Sequence, residues 1–362
     1  MTDPKHGNHD GAPVTLQNVA EKAGVSVMTV SRALSGEGYV AEKTRVRVLA
    51  AVDELGYSPN LSAKMMRGSR TNVIGVLVND LQSTVINEII GAVSVAVRKS
   101  NMDLIIYNSI EDLGSTKRSG VNQIMRGLCD GLLFILPRLS EGYIESLEQS
   151  SLPVVLINYC ATETSLPVVR GDNRRGGRNA VEHLLELGHR RIAFITGSAH
   201  TGQSMERQRG YADALKKAGI PLDKALIAEG DFGQLSGFES TQRLLRLPEP
   251  PTAIFAANDE MAFGVMDAVR AQGLRVPQDV SVIGFDDIPA ASHVHPKLTT
   301  LRQPLAEISE SAVQELMRRI TGAGAAQHRV EFPSGLVVRE STAPAPQASA
   351  AGGGRKRAAV KG

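Results

Sequence analysis

The chain has 362 residues, 42% of them apolar, with 40 Lys/Arg against 38 Asp/Glu. That length allows two or three domains with a sizeable core. No run of 18 apolar residues occurs, so no transmembrane helix and no membrane partner is expected.

Two cysteines, Cys129 and Cys160, cannot build a disulfide framework and read as core fillers in a reduced compartment. Residues 1–13 are polar and lack the apolar stretch of a signal peptide, so they read as disordered and the protein as cytoplasmic. The net charge of +2 hides an asymmetry. Residues 14–70 carry eight basic and five acidic groups, residues 71–342 carry 27 and 31, and residues 343–362 carry four and none. Basic ends on an acidic body point to an anionic partner at the ends.

Residues 14–57 have helical periodicity. Thr15 can cap a first helix, with Leu16, Val19 and Ala20 on one face, and Gly24 stands where a left-handed residue is needed. Ser26 can cap a second helix with Val30 and Leu34 on its inner face. Ala20, Gly24 and Val30 supply the small residue, the glycine and the β-branched residue that a tight corner between helices requires. A third helix is predicted over Glu42–Leu55, with Val46, Leu49, Val52 and Leu55 as its apolar row. Val27, Met28, Ser31 and Arg32 form the outer face of the second helix. Arg can bridge guanine O6 and N7, and Val and Met can touch thymine methyls. Thr15, Ser26, Thr29, Ser31, Lys43, Thr44 and Arg45 suit phosphates. A generic three-helix bundle is the bland alternative. Double-stranded DNA is the partner this surface fits.

Residues 58–71 (SPNLSAKMMRGSRT) read as a linker with a short helical centre, marginal on its own because it is only about two turns long. Residues 72–342 alternate apolar strands with amphipathic helices. The strands are Val73–Val78, Leu104–Asn108, Gly131–Leu136, Val154–Asn158, Ile192–Thr196, Ala225–Glu229, Ile254–Ala257 and Val280–Phe285. Helices such as Ile86–Lys99, Gly177–Leu187, Ser204–Ala218 and Glu260–Gln272 lie between them. Fully apolar strands covered by helices imply parallel sheets. The series restarts near residue 175, which suits two similar lobes; a closed (β/α)8 barrel is the competing architecture. The Pro/Ala/Gly-rich residues 343–362 read as a disordered basic tail.

Polar residues stand just past several strands: Asn79, Asp80, Asn108, Asn158, Asn258, Asp259 and Asp286. In open α/β sheets that edge binds ligands. Other apparent motifs are discounted. Gly197 to Ser204 imitates a phosphate loop, but Gln203 stands where a lysine is required. No metal or cofactor is expected, and no G-x-S-x-G motif or triad spacing points to catalysis.

The run VTLQNVAEKAGVSVMTVSRALSG, continued by VAEKTRVRVLAAVDELGYSPN, closely resembles the headpiece of the LacI/GalR family of transcriptional regulators. The resemblance is dense over residues 14–71 and continuous to about 342. It implies an α/β protein with an N-terminal three-helix helix-turn-helix headpiece. A two-lobed, periplasmic-binding-protein-like effector domain of two doubly wound parallel sheets would follow.

It implies that Val27, Met28 and Arg32 face bases, and that Asn60–Arg67 is a hinge helix that orders on DNA, with Asn60, Ala63 and the wedge residue Met66 at the minor groove. Ala41 replaces the usual cap of the third helix. In the body, RQRGY makes Arg207 the ligand-gripping arginine, and ANDEMAFG makes Asn258 a donor with Asp259 supporting the helix start. GFDD makes Asp286 a hydroxyl acceptor, and EGDF makes Phe232 an apolar wall. The kit fits a small sugar or sugar acid such as a gluconate-type effector.

Arg174 and Arg175 read as surface charges, with an effector carboxylate as the other use. LTTLRQP (298–304) and the helix after it resemble the third crossover between lobes, with LVVRES returning. The expected protein is a homodimeric, ligand-responsive regulator, a repressor rather than an enzyme. A sugar-binding transport-type protein and a doubly wound α/β enzyme are the alternatives. Dimer or tetramer stays open, although the tail has no leucine heptads.

Overall fold

The computed structural model describes residues 14–35, 38–57, 70–108, 125, 127–137, 139, 141–160, 163–198, 201–324 and 328–346. The chain divides into two units, Met1–Thr71 and Asn72–Gly362.

In the first unit, Thr15 caps α1 (Leu16–Ala23). Its hydroxyl accepts from the Asn18 amide at 3.4 Å, and the Asn18 side chain accepts from the Thr15 amide at 2.9 Å. Gly24 ends α1 at φ +62°, a conformation in which a side chain would be strained. Ser26 Oγ accepts from the Thr29 amide at 3.1 Å and opens α2 (Val27–Ser35). Val19, Ala20, Ala23, Val30 and Ala33 pack with Val48 and Ala51 of α3 (Glu42–Leu55) into one core.

Two expectations are corrected here. Val27 is half-buried: it packs in part on the core with Val30 and Leu34, which recur at helical spacing, and only its remaining surface belongs to the outer face. On α3 the buried row is Val48 and Ala51, while Val46 is 57% and Leu49 45% exposed. A row stepping by three residues drifts about 60° per step around a helix, so Val46 and Leu55 cannot share a face. Ala41 makes no cap bond at the start of α3. Ala41→Ser is therefore expected to stabilise the headpiece by about 1 kcal/mol, read as a higher urea midpoint of its unfolding transition.

The second unit holds two open parallel sheets. The first orders β11 (Arg329–Phe332), β5 (Val168–Gly171), β4 (Val154–Ile157), β3 (Gly131–Ile135), β1 (Val73–Val78) and β2 (Asp103–Asn108). The second orders β7 (Ile227–Ala228), β6 (Ile192–Ile195), β8 (Ala253–Ala256) and β9 (Ser281–Ile283). All neighbours in both sheets run parallel. No closed barrel forms among the described residues.

The first sheet is covered on both faces, which is why its central strands are apolar throughout. One face packs on α4 (Thr84–Lys99) and α10 (Leu305–Thr321) through Ile89, Val93, Ile308 and Leu316. The other packs on α5 (Glu141–Glu148) through Ile144 and Leu147, with Cys129 in the same cluster. Around the second sheet, α6 (Asn173–Glu186), α7 (Gly202–Lys217), α8 (Gln234–Leu245) and α9 (Asp259–Ala271) share one core.

The chain passes between the lobes three times: at 171–173, at 302–305 and at 332–335. The passage at LTTLRQP is thus the second, not the third. The third leads from β11 into β12 (Gly335–Val337), which pairs antiparallel with β10 (Thr300–Arg302).

Residues 343–346, assigned to the tail on composition, are docked on the second lobe. The Ala345 amide donates to Leu187 O at 2.8 Å, and Ala343 O lies 3.0 Å from Nε2 of the fully buried His189. Burial pushes the His189 imidazole below its ordinary pKa. Among the described residues, no helix is long and apolar enough to cross a membrane.

Candidate functional site

A cleft of about 330 Å³ opens where the two lobes face each other. It lies past the carboxyl ends of β1, β3 and β4 on one side and of β6, β8 and β9 on the other. In both sheets this is where the strand order reverses: β1 lies beside β3, and β6 beside β8. Chains leaving neighbouring strands in opposite directions open a crevice at that point.

The first lobe contributes Asn79, Asp80, Gln82, Ser83, Leu136 and Asn158, and the second Gln203, Arg207, Asp231, Phe232, Asn258, Glu260 and Asp286. Gln303, on the second passage, also lines it.

Seven of the eight expected body residues therefore meet in one cleft. Asn108 does not. It ends β2, the edge strand of the first sheet, is exposed, and is not among the described residues that line the cleft.

At the floor sits Arg207, 4% exposed, on α7. Its Nε donates to Asn173 Oδ1 at 2.8 Å, one Nη donates to the Ala257 carbonyl, and the other donates to Asp286 Oδ1 at 3.2 Å. The guanidinium lies 3.7 Å from the centroid of the Phe285 ring. Gln303 Nε2 donates to the same Asp286 oxygen at 2.7 Å. Burial raises the Asp286 carboxyl above the usual range, and the Arg207 charge pulls it back.

The backbone is strained around this floor. Seven non-glycine residues among those described have positive φ, and four of them line the cleft: Leu136 (+47°), Asn158 (+53°), Phe232 (+74°) and Asp286 (+118°). Such conformations cost about 1–3 kcal/mol each and cluster at binding sites. The Phe232 ring fills the space a side chain at Gly197 would need, since a Cβ there would lie 2.0 Å from it. The first glycine of the apparent phosphate loop thus seats an aromatic wall.

Two expected roles change. Asn258 is itself the cap of α9: its Oδ1 accepts from the Met261 amide at 3.0 Å, and its Nδ2 donates to Phe232 O at 2.9 Å. Asp259, fully buried, instead accepts from Thr300 Oγ1 at 2.5 Å and from the Ile288 amide at 2.9 Å. Burial, with Asp286 close by, pushes the Asp259 carboxyl well above its usual range.

Contacts across the cleft were not legible in the sequence. Thr84 Oγ1 donates to Glu260 Oε1 at 2.6 Å, and Gln203 Nε2 donates to the Asn158 carbonyl, each joining one lobe to the other. Gln203, read only as a failed lysine, is a bridge. Arg174 pairs with Asp213 at 2.7 Å and is a surface charge.

In the headpiece, Met28 is 64% exposed and Arg32 is exposed, while Thr29 and Ser31 are half-buried. Lys43 is exposed, and Thr44 and Arg45 are half-buried at the start of α3. Thr15 and Ser26 spend their hydroxyls on caps. Asn60, Ala63 and Met66 lie outside the described residues.

Residues 15–60 match the family of bacterial regulatory proteins of lacI type, and residues 181–342 match a periplasmic binding protein-like domain. The HTH-type transcriptional repressor CytR of Escherichia coli (strain K12) is 36% identical over 330 residues, covering 91% of this chain and 96% of that protein. The chain belongs to the LacI family.

Solved structures agree. A lac repressor dimer bound to operator and the anti-inducer ONPF matches at a TM-score of 0.82 and 30% identity, covering 92% of this chain and all of that one. A complex of the transcriptional regulator CelR with cellobiose matches at a TM-score of 0.69 and 32% identity, covering 91% and 99%. This LacI-family chain therefore has the family's helix-turn-helix and its two-lobed effector domain, and it is a ligand-responsive transcriptional regulator.

Proposed function

We propose that the protein is a repressor that binds a palindromic operator as a homodimer and changes its affinity when a small sugar occupies the cleft. The observation that carries this reading is the pairing, in one chain, of a capped helix-turn-helix with a cleft floored by the buried Arg207–Asp286 pair. Met28 and Arg32 project from α2 and suit thymine methyls and a guanine edge. Lys43 and the start of α3 suit phosphates, which position the helix without reading sequence.

Asn60, Ala63 and Met66 are proposed to complete the contact at the minor groove. In the cleft, Arg207, Asp286, Asn79, Asp80 and Asn158 are proposed to meet hydroxyls, and Phe232 the flat face of a ring. Operator binding and cleft occupancy would be linked by a coupling free energy of about 1–3 kcal/mol.

The test uses the full chain and an operator selected from random duplexes. Arg32→Ala is expected to weaken that operator about 10- to 100-fold in fluorescence anisotropy, with little change on unrelated DNA, since a bidentate base contact is worth about 1–3 kcal/mol. Equal losses on both DNAs would make Arg32 a phosphate contact and remove it from base readout.

A further inference from the structure

We propose that the cleft takes an uncharged or amine-bearing carbohydrate and turns away uronates, aldonates and phosphate esters. This rests on the sugar-effector reading above and narrows it. The observation is the charge of the lining. Four carboxylates border the cleft: Asp80, Asp231, Glu260 and Asp286. Among the described lining residues Arg207 is the sole cation, and three of its five N–H donors already serve Asn173, Ala257 O and Asp286.

That pairing neutralises Asp286 and leaves three carboxylates without a cation in the lining. Their known partners are neutral. Asp80 Oδ1 accepts from the Gln82 amide at 2.8 Å, Asp231 Oδ1 from the Gly233 amide at 2.8 Å, and Glu260 from the Thr84 hydroxyl. Hydrogen bonds to Asp231 hold its carboxyl below the ordinary range, which keeps it ionised at neutral pH.

A concave site lined by one sign of charge raises the local concentration of the opposite sign and repels its own. Carboxylates are acceptor-only groups, so hydroxyl and ammonium donors can satisfy them, whereas a ligand carboxylate or phosphate offers only more acceptors. The charge of Arg207 is already shared with Asp286, so an anion drawn to it would compete with that buried pair.

The test is a thermal-shift and calorimetric screen of the full chain against pentoses, hexoses and disaccharides, each set beside its amino, uronate, aldonate and phosphate counterparts. Stabilisation confined to neutral and amino members is the expected result. For the best neutral ligand, its acidic counterpart should bind at least 100-fold more weakly. Asp80→Asn combined with Glu260→Gln, which keeps shape and one acceptor oxygen on each side chain, should narrow that gap at least tenfold.

A uronate, aldonate or phosphate ester that binds the unaltered protein as tightly as its neutral counterpart overturns the charge selection while leaving the sugar reading standing. Binding by no carbohydrate in any class overturns the sugar reading, and this narrower one with it.

Discussion

Arg207→Ala is expected to destabilise the effector domain by about 3–5 kcal/mol, because it strands a buried carboxylate. Asp286 is 6% exposed and keeps only the Gln303 amide once the guanidinium is gone. Burial already raises the Asp286 carboxyl, and Arg207 is the group that pulls it down. The variant should therefore hold Asp286 protonated to higher pH.

A group whose folded pKa lies above its unfolded value, about 3.9 for Asp, gives stability that is present at low pH and lost as pH rises through the folded pKa. The deficit of Arg207→Ala against the unaltered protein should accordingly shrink as pH falls toward 4 and be largest near 7. Urea titrations at both pH values read this directly. Asp286→Asn added to Arg207→Ala should recover part of the loss at pH 7, since no charge is left unpaired. A deficit that does not change with pH would mean that the cost is lost packing on Phe285 rather than an orphaned charge. Arg207→Ala should also lose stabilisation by any cleft ligand while retaining operator binding.

How much of this could be read from sequence depends on what each position has to satisfy. Long apolar strands such as β1 and β3 are buried on both faces, so their composition alone announces them. The short strands β10, β11 and β12 are three or four residues long, partly exposed, and hold by pairing with distant segments; no local period marks them. The same holds for the site.

Sequence shows that polar residues follow strands, but it does not show which strand ends face the cleft. Asn79 and Asn108 look alike in sequence, yet β1 borders the reversal and β2 is an edge. Asn258 and Asp259 are adjacent, and only the structure shows that the amide caps α9 while the carboxylate is buried against Thr300 and Ile288. Bridges such as Thr84–Glu260 join residues 176 apart in the chain, beyond the reach of any spacing rule.

Gly210→Ala is expected to damage both fold and site, although it adds only one methyl group. A Cβ at Gly210 would lie 2.1 Å from Arg174 O and 2.6 Å from Arg178 N, both backbone atoms of α6. On the facing helix, a Cβ at Gly177 would lie 2.5 Å from Arg207 O. The two glycines therefore let α6 and α7 pack backbone to backbone. That close approach is what brings Asn173 Oδ1 on α6 within 2.8 Å of Arg207 Nε on α7.

Backbone cannot yield as a side chain can, so the cost should reach the upper end of overpacking, about 3 kcal/mol or more. Forcing the helices apart should also loosen Arg207, so ligand affinity should fall by more than the loss of stability at constant geometry would give. Gly142→Ala is the control. It sits in α5 with nothing within 4 Å of a new Cβ. There alanine should stabilise by roughly 0.5–1 kcal/mol through lower chain entropy. Equal effects of the two substitutions on the urea midpoint would show that α6 and α7 have room to spare, and that something other than glycine packing sets the position of Arg207.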